Sequence, residues 1–207
     1  YDTVPSIQVK RGYIDKQGRV IASPSNDRVF KAGEKGILIR NKGMYGWVNR
    51  SGQFVAHTLY RSLIPYEEEG VLLAQQEDKK WGIISMDDGS ILADFDNDGF
   101  SYVQKGIFGY KVKDRWGLIT GEGKKISQPV YKAVSKGGEG LIPVKTKNGW
   151  QYVSCDGNDE ITFKEEVDDV TPFCQGLAGV KVQGKWGLID RSGHFVEKPS
   201  YDELDIL

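Results

Sequence analysis

The sequence predicts an all-β repeat protein, propeller-like in character and built from about six repeats of about 35 residues. Three observations carry this. A Trp-Gly-hydrophobic-hydrophobic motif returns at a near-constant interval, a polar turn ending in glycine follows each copy, and no long stretch keeps helical apolar spacing with recognisable caps.

The motif stands at Trp81-Gly82-Ile83-Ile84, Trp116-Gly117-Leu118-Ile119 and Trp186-Gly187-Leu188-Ile189. Trp150-Gln151-Tyr152-Val153 keeps it without the glycine, and Arg11-Gly12-Tyr13-Ile14 and Tyr45-Gly46-Trp47-Val48 keep it without the leading tryptophan. Other columns move with these anchors. Gly36, Gly70, Gly106, Gly140 and Gly176 precede them, and Gly18, Gly52, Gly89, Gly123, Gly157 and Gly193 follow them. Tyr60, Tyr131 and Tyr201 stand farther on.

The last copy shows the local physics in chain order. Leu177, Ala178, Val180 and Val182 make a short apolar strand, Gln183-Gly184 a tight turn, and Trp186 to Asp190 a second strand. Asp190-Arg191-Ser192-Gly193 then places a carboxylate where it can accept local N–H bonds and a glycine where the backbone needs positive φ. Phe195 and Val196 begin a third strand that Pro199 ends. Each unit is thus expected to be a three-stranded antiparallel meander with a connector carrying the tyrosine. With no Pro- or Ser-rich linker, residues 1–207 read as a single repeat domain. Tyr1-Asp2-Thr3-Val4 resembles Tyr201-Asp202-Glu203-Leu204 and makes the first unit abbreviated. Radial packing of the units would give a propeller-like assembly, and a steady offset an open β-solenoid or superhelical array.

Composition excludes several classes. Lys+Arg 28 against Asp+Glu 29 leaves no basic surplus for nucleic acid or an anionic membrane. No apolar stretch is long enough to be a transmembrane segment. Two cysteines, Cys155 and Cys174, and two histidines, His57 and His194, cannot build a disulfide framework or a four-thiolate zinc site.

The anchor column, with Lys80-Trp81-Gly82, Arg115-Trp116-Gly117 and Lys185-Trp186-Gly187 its best copies, resembles the bacterial WG-repeat family, also called KWG repeats. The resemblance spans essentially the whole chain. It implies a β-structured array of the kind found in bacterial cell-envelope or exported proteins, without a shared catalytic centre.

Asp94-Phe95-Asp96-Asn97-Asp98-Gly99 is the sharpest local motif. Asp94, Asp96 and Asp98, with glycine at the sixth position, match the start of a calcium loop. Lys105 at the twelfth position excludes an EF-hand, so the alternatives are a shortened calcium site and an acidic solvated connector. Calcium is the one cofactor the sequence suggests. The aromatic columns read as the seams between units rather than as a ligand platform, with the basic residue before each anchor free to lie over a ring. Acidic runs Glu67-Glu68-Glu69, Glu165-Glu166 and Asp168-Asp169 sit in connectors, and the histidines lie in different repeats, so no nucleophile, base and orienter are brought together. The expected function is therefore a non-catalytic scaffold that binds a protein partner or a cell-surface polymer through the connectors 60–70, 94–106 and 163–176. The alternative is a carboxylate-based, glycosidase-like hydrolase with a cleft between repeats.

Overall fold

The structure, a computed structural model, describes residues 9–26, 28–31, 33–158 and 160–204. The Tyr1 to Val4 copy of the tyrosine column lies outside the described residues. Every regular element among the described residues is a β-strand. They fall into two compact units, Tyr1–Asn97 and Asp98–Leu207.

In the first unit, β1 (Arg11–Ile14) pairs with β2 (Val20–Asn26). A four-stranded sheet follows in chain order: β3 (Arg28–Lys31), β4 (Gly36–Asn41), β5 (Met44–Asn49) and β6 (Phe54–Tyr60). A second runs β7 (Ser62–Tyr66), β8 (Val71–Gln75), β9 (Trp81–Ser85) and β10 (Ile91–Asn97).

The second unit opens with β11 (Gly99–Gln104), β12 (Ile107–Val112) and β13 (Arg115–Thr120), whose fourth strand is reduced to the bridges Trp116–Tyr131 and Ile119–Lys125. Two complete sheets follow. One is β14 (Ala133–Val134), β15 (Leu141–Thr146), β16 (Gly149–Ser154) and β17 (Glu160–Ile161). The other is β18 (Asp169–Val170), β19 (Leu177–Val182), β20 (Lys185–Asp190) and β21 (Phe195–Tyr201). Antiparallel four-stranded sheets in sequence order are the blade unit of propellers, so the repeats are propeller-like.

The three strands expected per repeat are the second, third and fourth of each sheet. The connector adds the first. Its residues pair with the otherwise open edge of the next strand, as in Leu63 opposite Ala74, Phe100 opposite Tyr110 and Val170 opposite Val180. An unpaired edge leaves a row of backbone groups without partners, and the connector supplies them.

Cores form between successive sheets inside each unit. Ile37, Ile39 and Val48 pack on Ile21 and Ala22 of β2, while Trp47 and Ala56 pack on Leu63, Leu72 and Ile84 of the following sheet. In the second unit Leu118 and Val103 meet Ile142, Val144 and Val153, and Tyr152 and Leu141 meet Phe173, Ala178, Val180 and Ile189. Each fully buried aliphatic or aromatic side chain contributes on the order of 1.5–3 kcal/mol. The anchors themselves lie at the rim of these seams: Tyr45, Trp116 and Trp150 are half-buried against them.

The glycine after each anchor has a steric cause. Opposite it, the fourth strand shifts register: Trp81 faces Asn97 while Ile83 faces Ala93, and Trp186 faces Tyr201 while Leu188 faces Glu197. Two extra residues bulge over the glycine. A Cβ at Gly82 would lie 2.7 Å from the Ala93 carbonyl oxygen, and one at Gly187 would lie 2.7 Å from that of Glu197. The fifth repeat has Gln151 instead, and there the fourth strand is released. β17 keeps two residues, and the chain loops through 162–166 before Val167 accepts the Trp150 N–H at 3.2 Å.

The turn glycines serve a second contact. A Cβ at Gly89, φ 76°, would lie 2.3 Å from the Val55 carbonyl oxygen of the preceding sheet, and one at Gly193, φ 79°, would lie 2.6 Å from Ile161. The turn also has the expected polar chemistry. Oδ1 of Asp190 accepts the N–H groups of Ser192 at 2.8 Å and His194 at 3.0 Å, as Oδ1 of Asn49 does for Ser51 and Gln53.

Candidate interaction surface

Four anchor rings are covered by a cation from the neighbouring strand, while Trp81 faces Gln75. Lys111, Lys145 and Lys181 stand 5.7, 5.6 and 5.6 Å from the ring centroids of Trp116, Trp150 and Trp186, and Arg40 stands 5.5 Å from that of Tyr45. These are directly paired residues across the hairpin. The residues preceding the anchors, Arg115 and Lys185, lie elsewhere: Arg115 beside Asp114 at 4.0 Å, and Lys185 on Asp202. Cross-strand register, rather than adjacency in sequence, decides which cation reaches the ring. The signal was present, because a basic residue also recurs five positions before four of the anchors.

The acidic motif is divided among different tasks. Asp94 and Asp96 are exposed on β10, and Asn97 between the acids is buried, donating from Nδ2 to the carbonyls of Asp94 at 2.9 Å and Trp81 at 3.3 Å. Asp98 accepts the Lys113 N–H and so ties the β12–β13 turn. Asp168, at the equivalent place two repeats later, accepts the Gly184 N–H at 3.0 Å although no calcium-like motif surrounds it. Among the described residues no three His, Cys, Asp or Glu side chains converge as metal ligands.

The other candidates are dispersed. His57 and His194 are exposed and lie in different units, His57 stacking on Phe54 at 5.5 Å. Cys155 is half-buried, Cys174 exposed, and both are free thiols. Glu67 accepts the N–H of Glu34 at 2.8 Å, while Glu139 accepts that of Gly176 and meets Arg191 at 3.1 Å. Resolved carboxylate shifts among the described residues all run downward. N–H and hydroxyl bonds from Ser90 hold Asp88 at about 2, and the Ser154 hydroxyl with the Asn158 amide lowers Asp156. Lys185 lowers Asp202, and for Asp15 the bonds from Arg19 and Gln17 outweigh desolvation. Such groups are poised as anions rather than as proton donors.

Of the connectors expected to form variable binding loops, 60–70 and 94–106 are largely strand, while 163–176 keeps only two strand residues. β7, β10 and β11 occupy much of 60–70 and 94–106, and β18 a short part of 163–176, where the connector pairs with the next repeat. Exposed apolar side chains gather instead on the outer strands. Val20, Phe54, Ile91 and Phe195 each stand at or next to the start of a fourth strand, and Leu59 and Val130 stand near its far end. Hollows border these strands. One of about 390 Å³ lies between the released loop of repeat five, at Phe163 and Lys164, and His194 and Phe195 of the next turn. Another of about 520 Å³ lies at the end of β6, between Met44, Leu59 and Tyr60 and the β8–β9 turn. No helix among the described residues is long and apolar enough to cross a membrane.

Comparison with known proteins agrees with this architecture. No curated protein matches the chain. Among solved structures, it is similar to a eukaryotic initiation factor, with TM-score 0.54 and 10% identity over 86% of this chain and 55% of that one. It is also similar to Hsv2 of Kluyveromyces lactis, with TM-score 0.47 and 9% identity over 81% of this chain and 61% of that one. The WD40 β-propeller domain of Doa1 matches with TM-score 0.38 and 11% identity over 95% of this chain and 75% of that one. At such identities the likeness concerns the fold alone, and the chain spans less than two thirds of the initiation factor and Hsv2 chains. The WG containing repeat family matches at residues 45–81, 116–150, 160–186 and 186–205, together more than half of the sequence. Register, bulge and turn thus meet in one conclusion: the chain belongs to the family of WG containing repeats.

Proposed function

We propose that the chain is a non-catalytic interaction scaffold, whose repeat frame presents dissimilar outer strands to a protein partner. One observation carries this reading. The residues that recur are taken up by the frame, while the outer strands differ from one repeat to the next. Nine residues after the anchor stand Val20, Phe54, Lys125 and Phe195, all exposed and varied in size and charge. A repeat protein separates stability from recognition in this way. The exposed aliphatic side chains Val20, Leu59, Ile91 and Val130 favour a protein over a cell-surface polymer, since sugars stack on aromatic rings rather than on aliphatic groups. Asp88 and Asp156 are held as anions by hydrogen bonds from Ser90 and from Ser154 and Asn158, which supports the non-catalytic reading.

The test replaces Phe54, Ile91 and Phe195 together with serine and measures capture of partner proteins and binding to a glycan array. Loss of a specific protein interaction is the expected result. Binding unchanged by the triple variant would remove the outer strands from the interface. Turnover of a glycosidic substrate that Glu139→Gln or Asp156→Asn abolishes would replace the scaffold with the hydrolase.

A further inference from the structure

We propose that β6 and the hollow at its end dock an extended segment of a protein partner, which adds as a strand along β6 and carries an apolar residue beside a lysine or arginine. This deepens the scaffold reading and rests on it.

β6 is the outermost strand of its sheet. Proteins guard such edges with charge, proline, shortness or cover, because unpaired N–H and C=O groups invite another strand. The other outer strands here carry guards. β2 contains Pro24, β10 contains Asp94 and Asp96, β21 contains Glu197, Lys198 and Pro199, and β17 has only 2 residues. Repeat four has Lys124, Lys125 and Pro129 in the corresponding segment. β6 runs Phe54-Val55-Ala56-His57-Thr58-Leu59-Tyr60, 7 residues without proline, lysine, arginine or a carboxylate; the Gly89 turn covers the Val55 carbonyl near its start, which places the strand addition on the half ending in Tyr60. The bulge over the anchor glycine does not set it apart, since β10 and β21 share that register shift.

Its side chains add a second observation. Leu59, at 68%, is the most exposed large hydrophobic among the described residues, and Phe54 is exposed as well. Leu59 borders the hollow of about 520 Å³, whose other walls are Met44 and Tyr60 on one side and Gln76, Glu77 and Asp78 on the other. One oxygen of Asp78 takes the Lys80 N–H at 2.9 Å, and Glu77 is exposed at the rim. Apolar walls with two carboxylates suit an apolar side chain flanked by a cation. In strand addition the main-chain bonds supply affinity and such a pocket supplies selectivity.

The experiment pans a random dodecapeptide phage library against the immobilised full chain, then measures synthetic copies of enriched peptides by fluorescence anisotropy. Enriched sequences are expected to alternate β-branched or aromatic residues and to include Lys or Arg. Their affinity should fall about tenfold or more for Leu59→Lys and for Glu77→Lys, and stay unchanged for Glu122→Lys in an exposed turn of another repeat. Thermal melts of each variant confirm folding, and Leu59→Ser serves if the lysine unfolds the chain. Enriched peptides that bind Leu59→Lys as tightly as the parent overturn this site and leave the scaffold reading standing. Absence of any enrichment counts against both. A parent dimer that Leu59→Lys dissociates assigns the edge to a second copy and overturns the partner.

Discussion

Gly82 sits directly beneath Ala93: a methyl group on the glycine would come within 2.7 Å of the alanine carbonyl oxygen. The glycine of the repeat motif is therefore the floor of a bulge, and its φ lies outside the left-handed region. Gly82→Ala and Gly187→Ala should each destabilise by about 1–3 kcal/mol through displaced backbone. Gln151→Ala should cost under about 1 kcal/mol, because the outer strand has already left that position. Chemical denaturation of the three variants checks the contrast.

The two kinds of strain on turn glycines can be separated. Gly18, at φ 79°, has nothing within 4 Å of where a Cβ would stand, so Gly18→Ala should show only the dihedral cost of about 1–2 kcal/mol. Gly89, at φ 76°, has the Val55 oxygen 2.3 Å from that place. Gly89→Ala should cost clearly more, read as a larger fall in denaturation midpoint.

Lys181 over Trp186 predicts a small, salt-tolerant loss. Lys181→Gln should cost about 0.5–1 kcal/mol and shift tryptophan emission. Lys185→Gln, which removes only an exposed partner of Asp202, should leave the emission unchanged.

Asp98 and Asp168 should behave alike if both tie hairpins. Asp98→Asn and Asp168→Asn are each expected to lose about 0.5–1.5 kcal/mol. Millimolar calcium should leave the melting temperature of the parent unchanged. A calcium-dependent rise that Asp98→Asn abolishes would instead mark a cation site.

Tyr152 should resist alkaline titration. It is buried, and its hydroxyl donates to the Thr171 carbonyl at 2.8 Å. Burial, with the Asp169 charge, raises its pKa far above that of a free tyrosine. The unfolded chain thus releases this proton first, so stability present at neutral pH is lost as pH rises past about 10. Absorbance at the phenolate band should show Tyr152 ionising only together with unfolding, and Tyr152→Phe should remove that coupling.

The frame was legible in the sequence because its demands are local. The Asp190 to Gly193 turn needs a short acceptor and a left-handed glycine within four residues, and those types stand in register with the anchors. The first strands were hidden. β14 and β18 have two residues each, too few to show the alternation by which a strand is read. The outer strands were legible in place but not in character: exposed on one side, Phe54, Lys125 and Phe195 can differ without disturbing the sheet. The unguarded character of β6 appears only once the strands at the same edge position are known.

The turn resting on the strand before it makes the array directional. Val55 and Ile161 support Gly89 and Gly193, which come later in the chain. A lesion at Val55 or Ile161 is therefore transmitted toward the C-terminus of its unit, to a repeat whose own residues are intact. During synthesis the same asymmetry gives the turns at Gly89 and Gly193 a finished strand to settle on, so assembly within each unit can proceed vectorially as the chain leaves the ribosome.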